Sequence, residues 1–154
     1  MRASPALAGG HALIEALVAA VVLSIGLLGG VALMVDGVRA SRGARLAGTA
    51  AALVSDLGER IRANRTAGAA YALDADRQLG SPGELCTAAC DAATVAAVDL
   101  YDWQRAALAS LPGARTSVAV SDIDGGTSRR YDITLEWTVA GRDGPARLGS
   151  VVVS

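Results

Sequence analysis

Gly9-Gly10-His11-Ala12-Leu13-Ile14-Glu15 leads directly into 16–35, twenty residues without a charge and rich in Leu, Val, Ile and Ala. Twenty residues of helix rise about 30 Å, the thickness of bilayer hydrocarbon. A lone segment in lipid must satisfy its own backbone groups, so the run predicts a single transmembrane helix. A cleavable secretory signal has an apolar core of only about 7–15 residues, followed by a small-residue cleavage site. Here the run is longer and passes into helix-compatible sequence without proline or a polar break. Glu15 is the discordant residue. A carboxylate at the mouth of hydrocarbon costs roughly 2–4 kcal/mol unless it finds a partner. A simple anchor gains nothing from it, whereas a subunit packed beside others in a membrane can set it against a neighbour's positive group.

The rest of the chain bounds the reading. Its 154 residues suffice for one modest domain, and a formal net charge of −1 gives no reason to expect a nucleic-acid partner. All 14 basic residues are arginines, grouped locally at Arg39, Arg42, Arg45 and at Arg60, Arg62, Arg65. From Val35 to Ala63 there is no proline, and Leu46, Leu53, Leu57 and Ile61 recur at helical spacing. One helix from about Leu13 to Ala63 is expected, with Asn64 and Gly68 as stop signals. Residues 67–98 read as a long connection, including Gly80-Ser81-Pro82-Gly83. Asp99–Leu111 reads as a short amphipathic helix capped by Asp99 and ended at Pro112-Gly113. Alternating segments at 116–121, 131–139 and 147–153 predict three strands. The fold class is therefore α+β, a long N-terminal helix packed on a small antiparallel sheet.

Gly10 to Glu15, with Ala16-Leu17-Val18-Ala19 and the following Leu23–Gly29, resembles the leader and N-terminal helix of type IV prepilins. The resemblance implies a leader over 1–10, an assembly helix over 11–36, and a periplasmic domain over 37–154. A prepilin peptidase would cut after Gly10, making His11 the mature N-terminus and usually methylating it. Glu15 would pair with the free amine of an adjacent subunit. His11 stands where the family usually has Phe, and Ala12 where it has Thr. His11 is the only histidine and is otherwise an ordinary helix-start residue, not a metal ligand. Asp56–Asn64 and Asp99–Gln104, with Tyr71, Cys86 and Leu111-Pro112-Gly113 in similar order, resemble the PilV group of minor pilins. The function implied is that of a minor pilin in the inner membrane. Its partners would be other pilins, the peptidase, the assembly platform and lipid. A minor pseudopilin of a secretion or DNA-uptake system, or a single-pass anchored binding domain, are the alternatives.

Arginine counts do not favour a cytoplasmic N-terminus, because Arg39, Arg42 and Arg45 follow the apolar run. The leader resemblance and the cysteines place the C-terminal domain outside the cytoplasm. There Cys86 and Cys90, the only cysteines, are expected to form a disulfide worth roughly 2 kcal/mol for so short a loop. Neither a metal nor any other cofactor is expected, since further ligands are missing near the cysteines. Asp122 and Asp124 before Gly125-Gly126 lack the other positions of a calcium loop and read as a turn. Trp103 and Trp137 read as core aromatics. No nucleophile–histidine pair or phosphate-cradling loop is visible, so an enzyme is not expected.

Overall fold

The computed structural model describes residues 9–82 and 90–154. They form an α-helix α1 (Gly9–Ala63), a 3-10 stretch (Arg65–Tyr71), a second helix α2 (Ala92–Ser110), and strands β1 (Arg115–Ile123), β2 (Ser128–Trp137) and β3 (Ala146–Val153). The chain divides into two compact units, 1–42 and 43–154.

In the first unit, every described side chain from Ala12 to Arg42 is exposed. Among the described residues α1 is the one helix long and apolar enough to cross a membrane. Leu13, Leu28 and Leu33 are each more than 70% exposed, so this surface has no partner within the unit. An aqueous helix with such a surface would be unstable against association, because large contiguous apolar patches are driven out of water.

The second unit is built on an antiparallel sheet in the order β1-β2-β3. β1 joins β2 through a hairpin with Ile123 opposite Ser128, and β2 joins β3 with Trp137 opposite Ala146. Alternation places Tyr131, Ile133, Leu135 and Trp137 on one buried face of β2. Ala50, Val54, Leu57 and Ile61 of α1 cover the core with Ala96, Leu100, Trp103 and Ala107 of α2. The buried stripe of α1 is thus rotated from the leucine-centred face read in the sequence. Leu57 and Ile61 are buried, but Leu46 and Leu53 lie at its margin and are only partly covered. Ala50 and Val54 complete the buried stripe with Leu57 and Ile61, all four at most 3% exposed.

The strands begin and end within about three residues of their expected limits; β2 starts at Ser128 rather than Tyr131 and stops at Trp137 rather than Val139. Helix α2 differs more. It begins seven residues before Asp99, and its N-cap is Asp91, whose Oδ1 accepts from the Thr94 N–H at 2.7 Å. That bond holds the Asp91 carboxyl below its ordinary pKa. Asp99 sits inside the helix and faces other elements. The 67–98 connection is also shorter in irregular structure than expected, since its start is the 3-10 stretch and its end is helical.

At the far end of α2, Gly113 adopts φ +60°, and Thr138 side-chain atoms lie close to where a Cβ would stand. This glycine lets Pro112 C=O accept from both Thr138 N (2.8 Å) and Thr138 Oγ1 (3.0 Å), tying α2 to the end of β2.

Candidate functional site

Gly10 and His11 belong to the first turn of α1, and Glu15 follows one turn later on the same helix. The leader residues 1–8 and Cys86 lie outside the described residues. Cys90 is disulfide-bonded and stands just before the Asp91 cap.

Glu15 shares a helix face with Val18, Ala19 and Val22, and Ile14 and Leu23 border it. The carboxylate therefore heads an exposed apolar stripe. Beyond it, Ser24 Oγ donates to Ala20 C=O at 2.7 Å, so this hydroxyl is satisfied within the helix. Nothing stands within 4 Å of a Cβ added at Gly26, Gly29 or Gly30, which leaves the helix surface open to close approach by another helix. Chemically, the segment can do two things: enter lipid, and present one acid to a cation brought beside it.

A second cluster of polar residues lies in the second unit, and no local sequence pattern announced it. Tyr71 Oη donates to Asp99 Oδ2 at 2.7 Å, while Arg60 donates to Asp99 Oδ1 at 3.0 Å and to Asp56 Oδ2 at 2.9 Å. Asn64 Nδ2 donates to Ala92 C=O at 2.9 Å and reaches the Tyr71 hydroxyl at 3.3 Å. Burial and the hydrogen bond to Asp99 push the Tyr71 hydroxyl well above its ordinary pKa. For Arg60, desolvation works against the charge, yet the bonds to Asp99 and Asp56 outweigh it and raise its pKa.

Two residues of the 99–104 segment, Trp103 and Gln104, make further contacts to other parts of the unit. Trp103 Nε1 donates to Leu53 C=O at 3.0 Å, fastening α2 on α1. Gln104 is buried and fully engaged: its amide donates to Arg77 C=O and Thr116 Oγ1, each at 2.9 Å, and its oxygen accepts from Leu79 N at 2.7 Å. These groups are consumed by each other, so the cluster is a brace between elements rather than a reactive centre. Asp56 and Arg60 are four residues apart; the remaining contacts span 7 to 50 residues of sequence.

The other candidates resolve simply. Asp122 pairs with Arg129 at 2.9 Å across the β1–β2 hairpin, whose tip is a short 3-10 turn at Asp124–Gly126. Trp103 and Trp137 are both buried in the core. Among the described residues no group of three or more His, Cys, Asp or Glu is placed to hold a metal ion. No family model, curated protein or solved structure matches the chain.

Proposed function

We propose that the chain is a minor pilin, a structural subunit that waits in the inner membrane and then enters a type IV pilus. The observation that carries this reading is Glu15 at the head of an exposed, uncharged helical run. An anchor needs the run but not the acid. In a bundle of such helices the local dielectric is low, and an acid–amine pair there is far stronger than in water. Glu15 supplies the acid, and the amine freed by cutting after Gly10 supplies the base on a neighbour. Repeating that head-to-tail contact propagates an open helix, which is the symmetry of a filament. The domain over 43–154, braced by Tyr71, Asp99 and Arg60 and stapled by Cys86–Cys90, would remain in the periplasm until assembly. The chain catalyses nothing in this scheme; it is the substrate of the prepilin peptidase.

Mass spectrometry of the mature N-terminus, with and without the peptidase, tests the proposal. A chain beginning at His11 only when the peptidase is present, one methyl heavier where the amine is modified, is the expected result. A chain beginning at Met1 in both strains sinks it and leaves a single-pass anchored domain. A pseudopilin of a secretion or DNA-uptake machine would give the same mass, and is separated from a pilin by whether sheared surface pili contain the chain.

A further inference from the structure

The charges of the first unit stand only at the two ends of its apolar run. Over residues 12–42 they are Glu15 at the head and Asp36, Arg39 and Arg42 at the tail. After Asp36 the next acid in the sequence is Asp56, and the charges between them are Arg39, Arg42 and Arg45. The tail of the run is therefore cationic, whereas its head is acidic.

The tail cations are open to a partner. Arg39 reaches Asp36 at 3.4 Å, but both side chains are largely exposed, and an ion pair so open to water holds neither member firmly. Arg42 lies about 120° round the helix from Asp36. It is exposed, and among the described residues no ion pair engages it. With 16–35 in hydrocarbon, Arg39 and Arg42 stand about 6 and 10 Å beyond the last apolar residue along the helix. The headgroup layer of a leaflet is about 5–8 Å deep. Helical side chains lean towards the N-terminus, which here is back towards lipid, and long cationic chains extend their heads to the interface. Both guanidinium groups thus reach the level of the lipid phosphates, whose geometry their planar forks match.

We propose that Arg39 and Arg42 form a collar that binds anionic phospholipid headgroups in the leaflet receiving the tail of the run. The inference rests on the membrane reading of 16–35 and is independent of entry into a filament. A zwitterionic headgroup carries its own cation beside the phosphate and so gains less from the arginines than a phosphatidylglycerol does. Each basic side chain near an anionic surface strengthens association about fivefold, and the effect is confined to roughly a Debye length. Glu15 gives the head of the run no such attraction, so the selectivity belongs to one leaflet.

The test uses the full chain reconstituted in phosphatidylcholine vesicles containing a minority of phosphatidylglycerol. Spin-labelled lipids of both kinds report, through the motionally restricted part of their spectra, which is held at the protein. Phosphatidylglycerol should be preferred several-fold, and added salt should weaken the preference. Arg39→Gln with Arg42→Gln should lower it at least about threefold, whereas Arg39→Lys with Arg42→Lys should keep most of it. Arg105→Gln with Arg142→Gln removes the same charge from exposed positions of the second unit and should leave it unchanged. No preference, an undiminished preference in the Arg39→Gln, Arg42→Gln chain, or an equal loss in the Arg105→Gln, Arg142→Gln chain overturns the proposal. So does competition by inorganic phosphate beyond that of sodium chloride at equal ionic strength, which would make the arginines a site for free phosphate. A preference that changes with the lipid-to-protein ratio assigns the cations to a second copy and also overturns it. A failed membrane reading shows separately, as a chain washed from the vesicles by carbonate with neither lipid restricted.

Discussion

The Tyr71 hydroxyl and the Asp99 carboxylate, 28 residues apart in sequence, lie 2.7 Å apart in the fold. The bond joins the 3-10 stretch that follows α1 to the middle of α2, and Arg60 closes it from α1 at 3.0 Å. Tyr71 also stacks edge-on against Tyr131 of β2, with ring centroids 6.3 Å apart and planes at 85°. One buried tyrosine thus touches the helix pair through its hydroxyl and the sheet through its ring.

Tyr71→Phe keeps the ring contact and removes the hydroxyl, so it should destabilise the domain by roughly 1–2 kcal/mol. Asp99→Ala should cost more, because it also leaves Arg60 without its better-buried partner. Urea unfolding followed by the fluorescence of Trp103 and Trp137 measures both. If Asp99→Ala proves the milder change, the brace does not work through the carboxylate.

The raised pKa of Tyr71 gives a pH signature. The folded state holds this proton more tightly than the unfolded chain, whose tyrosines titrate near 10. Its contribution is complete below about pH 10 and is lost as pH rises from there towards the folded value. Between about pH 10 and 12 the wild-type urea midpoint should therefore fall more steeply than that of Tyr71→Phe. Parallel slopes would mean that the hydroxyl is not held by its surroundings.

Gln104→Leu preserves volume but strips partners from Thr116 Oγ1, Arg77 C=O and Leu79 N–H. A loss of roughly 2–3 kcal/mol is expected, with the 77–79 segment loosened first. Hydrogen exchange at the Leu79 amide reports that loosening directly, and unchanged protection there would argue against the buried amide as its anchor.

Gly68 has φ +55° and ψ −125°, and Arg129 occupies the space where a Cβ would stand. Gly68→Ala should cost roughly 1–3 kcal/mol from backbone strain. Arg129→Ala should recover part of the loss in the double variant, since it removes the clash but not the strain. A fully additive pair of losses would show that the guanidinium is not the obstacle.

If the chain is the minor pilin proposed above, Glu15→Ala should leave membrane insertion intact, because it removes a charge from the apolar flank, yet abolish incorporation into pili. Carbonate extraction and immunoblots of sheared filaments read the two effects separately. Normal incorporation of the variant would falsify the role assigned to the acid.

Much of this architecture was legible because its signals are local. Twenty uncharged residues after Glu15 imply a spanning helix from length and solvation alone. Alternation around Tyr131, Ile133 and Leu135 exposes a strand with one buried face, and the structure buries those three residues. The misplaced start of α2 shows the limit. Residues 92–98 are alanine, threonine and valine, with too weak an amphipathic pattern to declare a helix, while Asp99 before an apolar residue has the look of a cap. Two facts displaced that reading: Asp91 caps the helix, and Asp99 is drawn inward by Arg60 and Tyr71. The sequence by itself determined the apolar run, the acid at its head and the three strands, since hydrophobic period and segment length depend on neighbours along the chain. The tertiary structure alone decided the α1 stripe and the brace around Tyr71, because those depend on which side chains meet across tens of residues.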